Sequence, residues 1–273
     1  MEDRRRFIKK CSILGSLMFV DQKQFVDVFT SYSRFNLNLD LSNLNFFSTS
    51  YLNGDFSFVD AIKSVPSIKL DTGNFISSKN NALQNVKQMN NLGFQVAALG
   101  KKELNLREEK LIELLNLAEF TLINSHLNFE NPTIRKAVKK FQIITIDTKK
   151  IGVLAISKGF VLSRDLNKLN QLSNNLKQDQ NCDMIICLVS NSYQKNTLKR
   201  ILSNSISIDL FMASDIANLQ GGNLILRNME KQEVMLLYGQ KNERSIGHYK
   251  TNFQHPFLAL PLRLSHQLSL QNI

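Results

Sequence analysis

"MNNLGFQVAALGKKELN", residues 89–105, decides the fold. Gly93 reads as a helix stop, Phe94 to Leu99 is a short apolar run between glycines, and Gly100 opens a turn at a strand's C-terminal end. A helix, a buried strand and a glycine turn in that order form one αβ step of an α/β protein, whose chemistry sits at such strand ends. Two adjacent cations, Lys101 and Lys102, stand in this turn.

Outward from that stretch, short apolar runs alternate with amphipathic ones between Asn43 and about Phe253. Strands are expected at Leu44 to Thr49, Ser67 to Leu70, Phe94 to Leu99, Phe120 to Ile123, Phe141 to Ile146, Ile151 to Ile156, Asp183 to Val189, Ile208 to Met212, Asn223 to Leu226, Glu233 to Tyr238 and Ser245 to Phe253. Helices are expected at Lys79 to Asn91, Glu103 to Ala118, Arg164 to Lys177 and Asn191 to Leu202. "FQIITID" followed by "TKKIGVLAI" reads as a hairpin turned at Thr148 to Lys150. Residues 21–43 and the tail from Thr251 to Ile273 have no clear place in the sheet, and no repeat or low-complexity linker divides the chain.

The chain has 273 residues, 43% hydrophobic and 21% charged, enough for one large domain with a sizeable core. A formal charge of +11 permits an acidic partner, but no basic run is interleaved with aromatics and Trp is absent, which argues against nucleic acid. Cys182 and Cys187 fall within one expected buried strand on opposite faces and, with Cys11, read as free thiols. His126, His248, His255 and His266 lack zinc-ligand spacing and read as satisfied or surface histidines.

The N-terminal "DRRRFIKKCSILGSLMFV" resembles a twin-arginine export signal, with Arg4, Arg5, Phe7, Ile8 and Lys9 in the pattern's places. The apolar stretch from Cys11 to Val20 is too short to span a bilayer, and no small-x-small cleavage site follows it. The other reading of residues 4–20 is a basic segment lying on a membrane surface. The expected location is the periplasm or envelope membrane of a bacterium.

Five segments, in order, resemble the calcineurin-like metallophosphoesterases, specifically the catalytic domain of the 5′-nucleotidase and UDP-sugar hydrolase group. They are "FFSTSYLNG" (46–54), "LDTGN" (70–74), the stretch at 89–105, "DMIICLVSNS" (183–192) and "IDLFMASDIA" (208–217). Thr49, Gly54, Asp71, Gly73, Asn90, Leu92, Gly93, Gly100, Glu103, Leu188 and Asp209 carry the resemblance. It implies a layered α/β sandwich of two mixed β-sheets flanked by helices. The expected organisation is a leader at 1–20, an extension at 21–43, the metallophosphoesterase-like domain at 44–250 and a tail at 251–273.

In that family two divalent ions activate a water and neutralise a phosphoryl group, and they need carboxylates, imidazoles and an amide at the loop ends. By resemblance, the ligand positions fall here on Tyr51, Asn53, Asn74, Lys101, Lys102, Ser190, Asp215 and Ala217. A protonated ammonium has no lone pair for a metal, so a lysine can replace a cation's charge without holding one. The sequence therefore predicts no metal, no cofactor, and an ion pair of Lys101 or Lys102 with Asp71 or Asp215. It points to an inactive metallophosphoesterase-like protein with a protein partner in the cell envelope. Two alternatives are an anion site in which Lys101 and Lys102 hold a phosphate-containing ligand, and a metal-dependent hydrolase with relocated ligands.

Overall fold

A computed structural model of the chain describes residues 43–258, apart from 51, 58, 60–62, 64–66, 78–80, 147–148, 191–192, 215, 218–221, 240–244 and 253–254. The expected leader at 1–20, nearly all of the extension at 21–43 and the tail after 258 lie outside the described residues.

The first sheet runs in the order β14 (His255–Leu258), β13 (Ser245–Asn252), β1 (Asn43–Ser50), β2 (Ile68–Asp71), β3 (Val96–Ala98), β4 (Thr121–Ile123). β1 to β4 are parallel, and β13 and β14 join them antiparallel, so the sheet continues past residue 250. The second sheet runs in the order β11 (Gly222–Arg227), β12 (Glu233–Tyr238), β9 (Leu210–Ala213), β7 (Met184–Ser190), β6 (Lys149–Ser157), β5 (Phe141–Ile146). Its inner strands are parallel and its two edges are antiparallel hairpin partners. The expected hairpin of β5 and β6 is present, but Lys149 and Lys150, expected in its turn, already belong to β6, where they pair with Ile146 and Thr145.

Strand composition explains the layering. β2, β3, β7 and β9 are buried along their whole length, as parallel strands covered on both faces must be. One face of each sheet meets the other sheet in a core that includes Phe46, Leu70, Val96, Val153, Ile186, Leu188 and Met212. The outer face of the first sheet packs on α1 (Ala82–Leu92) and α3 (Glu108–Leu117) through Val86, Met89, Leu111 and Leu114. The outer face of the second packs on α5 (Leu162–Gln178) and α6 (Lys195–Ser203) through Leu169, Leu176, Leu198 and Ile201. The expected sandwich of two mixed sheets flanked by helices is the observed architecture.

Gly93 ends α1 in the left-handed region (φ 73), its N–H bonded back to Asn90 and Met89, as expected from its place. Three local expectations differ. The helix expected at Glu103 to Ala118 is two, a short α2 (Lys101–Leu104) and α3, because Leu106 turns into the core and Arg107 is extended before the helix restarts at Glu108. The helix expected from Asn191 starts at Lys195, because Tyr193–Gln194 (β8) pairs with Ile216–Ala217 (β10). A helix not expected, α4 (Pro132–Ala137), is capped by the Asn131 side chain, which accepts from the N–H groups of Thr133 and Ile134, with Pro132 in its first turn.

The cysteine geometry is also corrected. Cys182 precedes β7, and it shares the helix-side core with Cys187 rather than facing the other way. Both are buried free thiols, and burial pushes Cys182 up to about 12 and Cys187 higher still.

Candidate functional site

The C-terminal ends of β1, β2, β3 and β7 converge, and most of the described positions singled out by motif meet there. A Cβ on Gly73 would collide with Ser190 Oγ, and one on Gly100 would lie 2.7 Å from the same oxygen and 2.5 Å from the Asn74 backbone nitrogen. Glycine at both positions is what lets the loop after β2, the start of α2 and the end of β7 touch. Gly73 also has φ +98, a region costly for side-chain-bearing residues.

Asn74 follows in the left-handed region at φ 63, as does Asn53 at φ 49, a conformation Asn tolerates better than most residues. The Asn53 N–H donates to the Asn74 carbonyl at 3.2 Å, and the Gly54 N–H to the Phe75 carbonyl at 2.9 Å, so the loops after β1 and β2 are laced by backbone.

The two carboxylates of this corner are turned into the fold. Asp71 is fully buried and accepts from Thr49 Oγ1 at 2.5 Å and from the Gly73 N–H at 2.7 Å. Burial holds its carboxyl well above the usual range; the nearby Glu103 adds to this, while the Thr49 and Gly73 hydrogen bonds oppose it. Glu103, also fully buried, accepts from the N–H groups of Asn74 at 2.9 Å, Ile76 at 3.2 Å and Gly100 at 2.9 Å. Burial raises its pKa against the pull of these amides. One side chain thus fastens the loop 74–76 to the start of α2.

The lysines do not form the expected ion pair with Asp71. The Lys102 ammonium donates to the carbonyls of Ile76 and Ser77, each at 3.2 Å, while its backbone N–H donates to Asn74 Oδ1 at 3.1 Å. Asp71 cannot be reached because its carboxylate is sealed between Thr49 and Gly73. Lys101 is exposed in the first turn of α2. Tyr51 and Asp215 lie outside the described residues, and Ala217 lies in β10.

On the second sheet's side, Ser190 pairs across the sheet with Ser157, whose Oγ accepts from Asn124 Nδ2 at 2.7 Å. Ser190 Oγ is buried without a hydrogen-bond partner, as is Asn53 Oδ1. His126 lies on the loop after β4, edge-on to Phe160 with ring centres 5.4 Å apart. It is only 5% exposed, and neither ring nitrogen has a hydrogen-bond partner, so it is neither the satisfied nor the surface histidine expected from sequence. Burial lowers its pKa to about 4, against the weaker pull of Asp165 and the Lys158 backbone; Lys140 and Arg164 push the same way as burial. Asp165 is held down at about 2, chiefly by Arg164, which binds it through Nε at 2.8 Å and Nη2 at 2.7 Å. Sequence reasoning missed this histidine's isolation because Phe160 comes from a distant strand end.

A pair of divalent ions needs several anionic or imidazole donors aimed at common points. Among the described residues no group of three His, Cys, Asp or Glu is placed to hold one. Of the described motif positions, Asp71 and Glu103 are taken by the fold and Asn74 Oδ1 by Lys102, and the buried oxygens left without a hydrogen bond are the neutral ones of Asn53 and Ser190. These residues do not fit a two-metal centre.

No protein-family model and no curated protein sequence matches this chain. Its fold matches solved structures. A 5′-nucleotidase precursor from Thermus thermophilus superposes with a TM-score of 0.61 at 10% identity, over 76% of this chain and 51% of that one. The NAD nucleotidase of Haemophilus influenzae gives 0.61 at 16% identity, over 76% and 47%. A calcineurin-like phosphoesterase of Bacillus subtilis gives 0.54 at 12% identity, over 77% and 84%. The chain spans about half the length of the first two. These neighbours are metallophosphoesterases, and at such identities the likeness shows the shared fold.

Proposed function

We propose that this chain keeps the metallophosphoesterase framework without its two-metal hydrolysis and works as a binding or assembly subunit of the bacterial envelope. The observation that carries the reading is Lys102. Its ammonium bridges two carbonyls of the loop after β2 and its N–H holds Asn74 Oδ1, at the positions where the family resemblance calls for a histidine and a metal-bridging carboxylate. A cation fixed by carbonyls can organise a loop, as a metal does, but has no site at which to activate water. The envelope location rests on the Arg4, Arg5, Phe7, Ile8 and Lys9 pattern, and a protein partner follows from a fold whose remaining asset is its surface.

The test is metal content of the full chain by mass spectrometry after incubation with manganese and zinc, beside hydrolysis of p-nitrophenyl phosphate and its bis-ester. The expected result is no stoichiometric metal and no turnover. Two bound ions with turnover abolished by Asn74→Ala would reverse the reading in favour of a hydrolase with relocated ligands.

Exposed Lys101 favours the second reading, a site that holds a phosphate group without turning it over. Inorganic phosphate would then raise the melting temperature, and the double variant Lys101→Ala, Lys102→Ala would lose that rise. The engagement of the Lys102 ammonium with two carbonyls argues against it.

A further inference from the structure

Among the described residues β11 is an edge of the second sheet, hydrogen-bonded to β12 on one side only. Its residues alternate strictly: Gly222, Leu224 and Leu226 are half-buried, Asn223, Ile225 and Arg227 exposed. Leu224 and Leu226 pack toward the helix-side core. Ile225 stands opposite Met235, and Asn223 opposite Leu237, both members of the core between the sheets. Ile225 therefore occupies the core-facing side of its sheet and is nevertheless 57% exposed, and Met229 just beyond β11 is 65% exposed.

Edge strands are ordinarily protected by proline, bulges, short length or charges placed along them. β11 has six residues, no proline, an unbroken register with β12 and one charge, Arg227 at its end. It is a template for strand addition, and its own sequence is the complement.

We infer that β11 pairs antiparallel with β11 of a second copy of this chain about a two-fold axis at Ile225, joining two second sheets edge to edge. That register sets Ile225 against Ile225, Leu224 against Leu226, and Asn223 against Arg227. Apolar meets apolar on both faces, the guanidinium faces an amide that can accept from it, and no like charges stand opposite one another. Moving the axis by one residue to Leu224 sets Ile225 against Asn223 and loses the match. A two-fold contact closes on itself, so the product is a dimer rather than a fibre. This inference rests on the strand edge alone and stands or falls independently of the reading of the site.

The experiment uses the full chain with Cys11→Ser, leaving the buried Cys182 and Cys187 as the native thiols. Residues directly opposite in an antiparallel pair have Cα atoms about 4.5–5.5 Å apart, within disulfide reach. Ile225→Cys is expected to give a covalent dimer under mild oxidation. Asn223→Cys alone is expected to give none, whereas Asn223→Cys mixed with Arg227→Cys does. Ile225→Lys, an exposed position, is expected to sediment as a monomer with unchanged circular dichroism while the parent sediments as a dimer. A parent that stays monomeric at about 50 µM overturns the inference, as does a dimer that Ile225→Lys leaves intact or cross-linking as ready at 223 as at 225. A monomer whose Ile225→Cys thiol reacts slowly with a thiol reagent overturns it too, and would assign the edge to another part of the same chain.

Discussion

Two corners of largely buried polar side chains at the strand ends behave differently. In the first, Asp71, Asn74, Lys102 and Glu103 bind backbone groups of the neighbouring loops, and Asn74 is bonded to both Glu103 and Lys102. In the second, Ser190 at the end of β7 and His126 on the loop after β4, packed on Phe160 beyond β6, are also buried and have polar atoms with no hydrogen-bond partner. The difference lies in what each side chain can reach. The loop after β2 folds over the start of α2 and offers amides and carbonyls within a few ångströms, so a substituted ligand position there is absorbed into the fold. Ser190 Oγ lies against Gly73 and Gly100 without a hydrogen bond, and the His126 ring stands edge-on to Phe160 with neither nitrogen bonded.

The largest effect should come from the most connected group of the first corner. Glu103→Ala strips three buried amides of their acceptor and should destabilise the protein by at least about 3 kcal/mol in urea unfolding. A loss under about 1 kcal/mol would mean that the Glu103 carboxylate does not hold the loop.

Next comes the second corner's response to acid. The His126 pKa is about 4 in the folded chain, against an unfolded value of about 6.5. The folded state therefore binds the proton less readily than the unfolded one. The stabilisation is complete above pH ~6.5, falls as pH drops toward 4, and amounts to about 3 kcal/mol in all. His126→Phe should flatten the pH dependence of unfolding across that window. An imidazole titrating near 6.5 by NMR would contradict the burial on which this rests.

Lys102→Met should cost about 1 kcal/mol, the worth of its hydrogen bonds to two part-buried carbonyls, and leave the helix content unchanged. The smallest effect has the opposite sign. Ser190→Ala removes a hydroxyl that has no partner and should leave the melting temperature unchanged or raise it by a degree or two, equivalent to no more than about 1 kcal/mol. A clear loss of stability there would reveal a partner for Ser190 and erase the contrast between the corners.

Much of the framework was legible because it depends on local chemistry. Gly93 and Gly100 bracket a strand whose apolar run is unmistakable, and Glu103, three residues past Gly100, bonds the Gly100 N–H as a first-turn carboxylate readily does. The four-residue α2 was not legible, because its end is set by Leu106 turning into the core, a tertiary choice. The substituted ligand positions could be named from the resemblance, but their partners could not. Lys102 binds carbonyls 26 and 25 residues away, and nothing in the sequence tells an ammonium to prefer them to a carboxylate. The sealing of Asp71 by Thr49, 22 residues earlier on the neighbouring parallel strand, is likewise a product of register. A capping signal, Asn131 before Pro132, was present and would have marked α4.

Under the proposed reading, hydrogen bonds of Glu103 and Lys102 organise this corner of the fold in place of divalent ions. A ligand that binds the folded state alone must raise its stability by mass action. The most direct measurement is therefore the melting temperature of the full chain with EDTA and with 1 mM manganese or zinc at pH 7.5. The expected result is the same melting temperature in all three; a rise of several degrees with a divalent ion, lost on Asn74→Ala, would mean that a metal holds the loops instead.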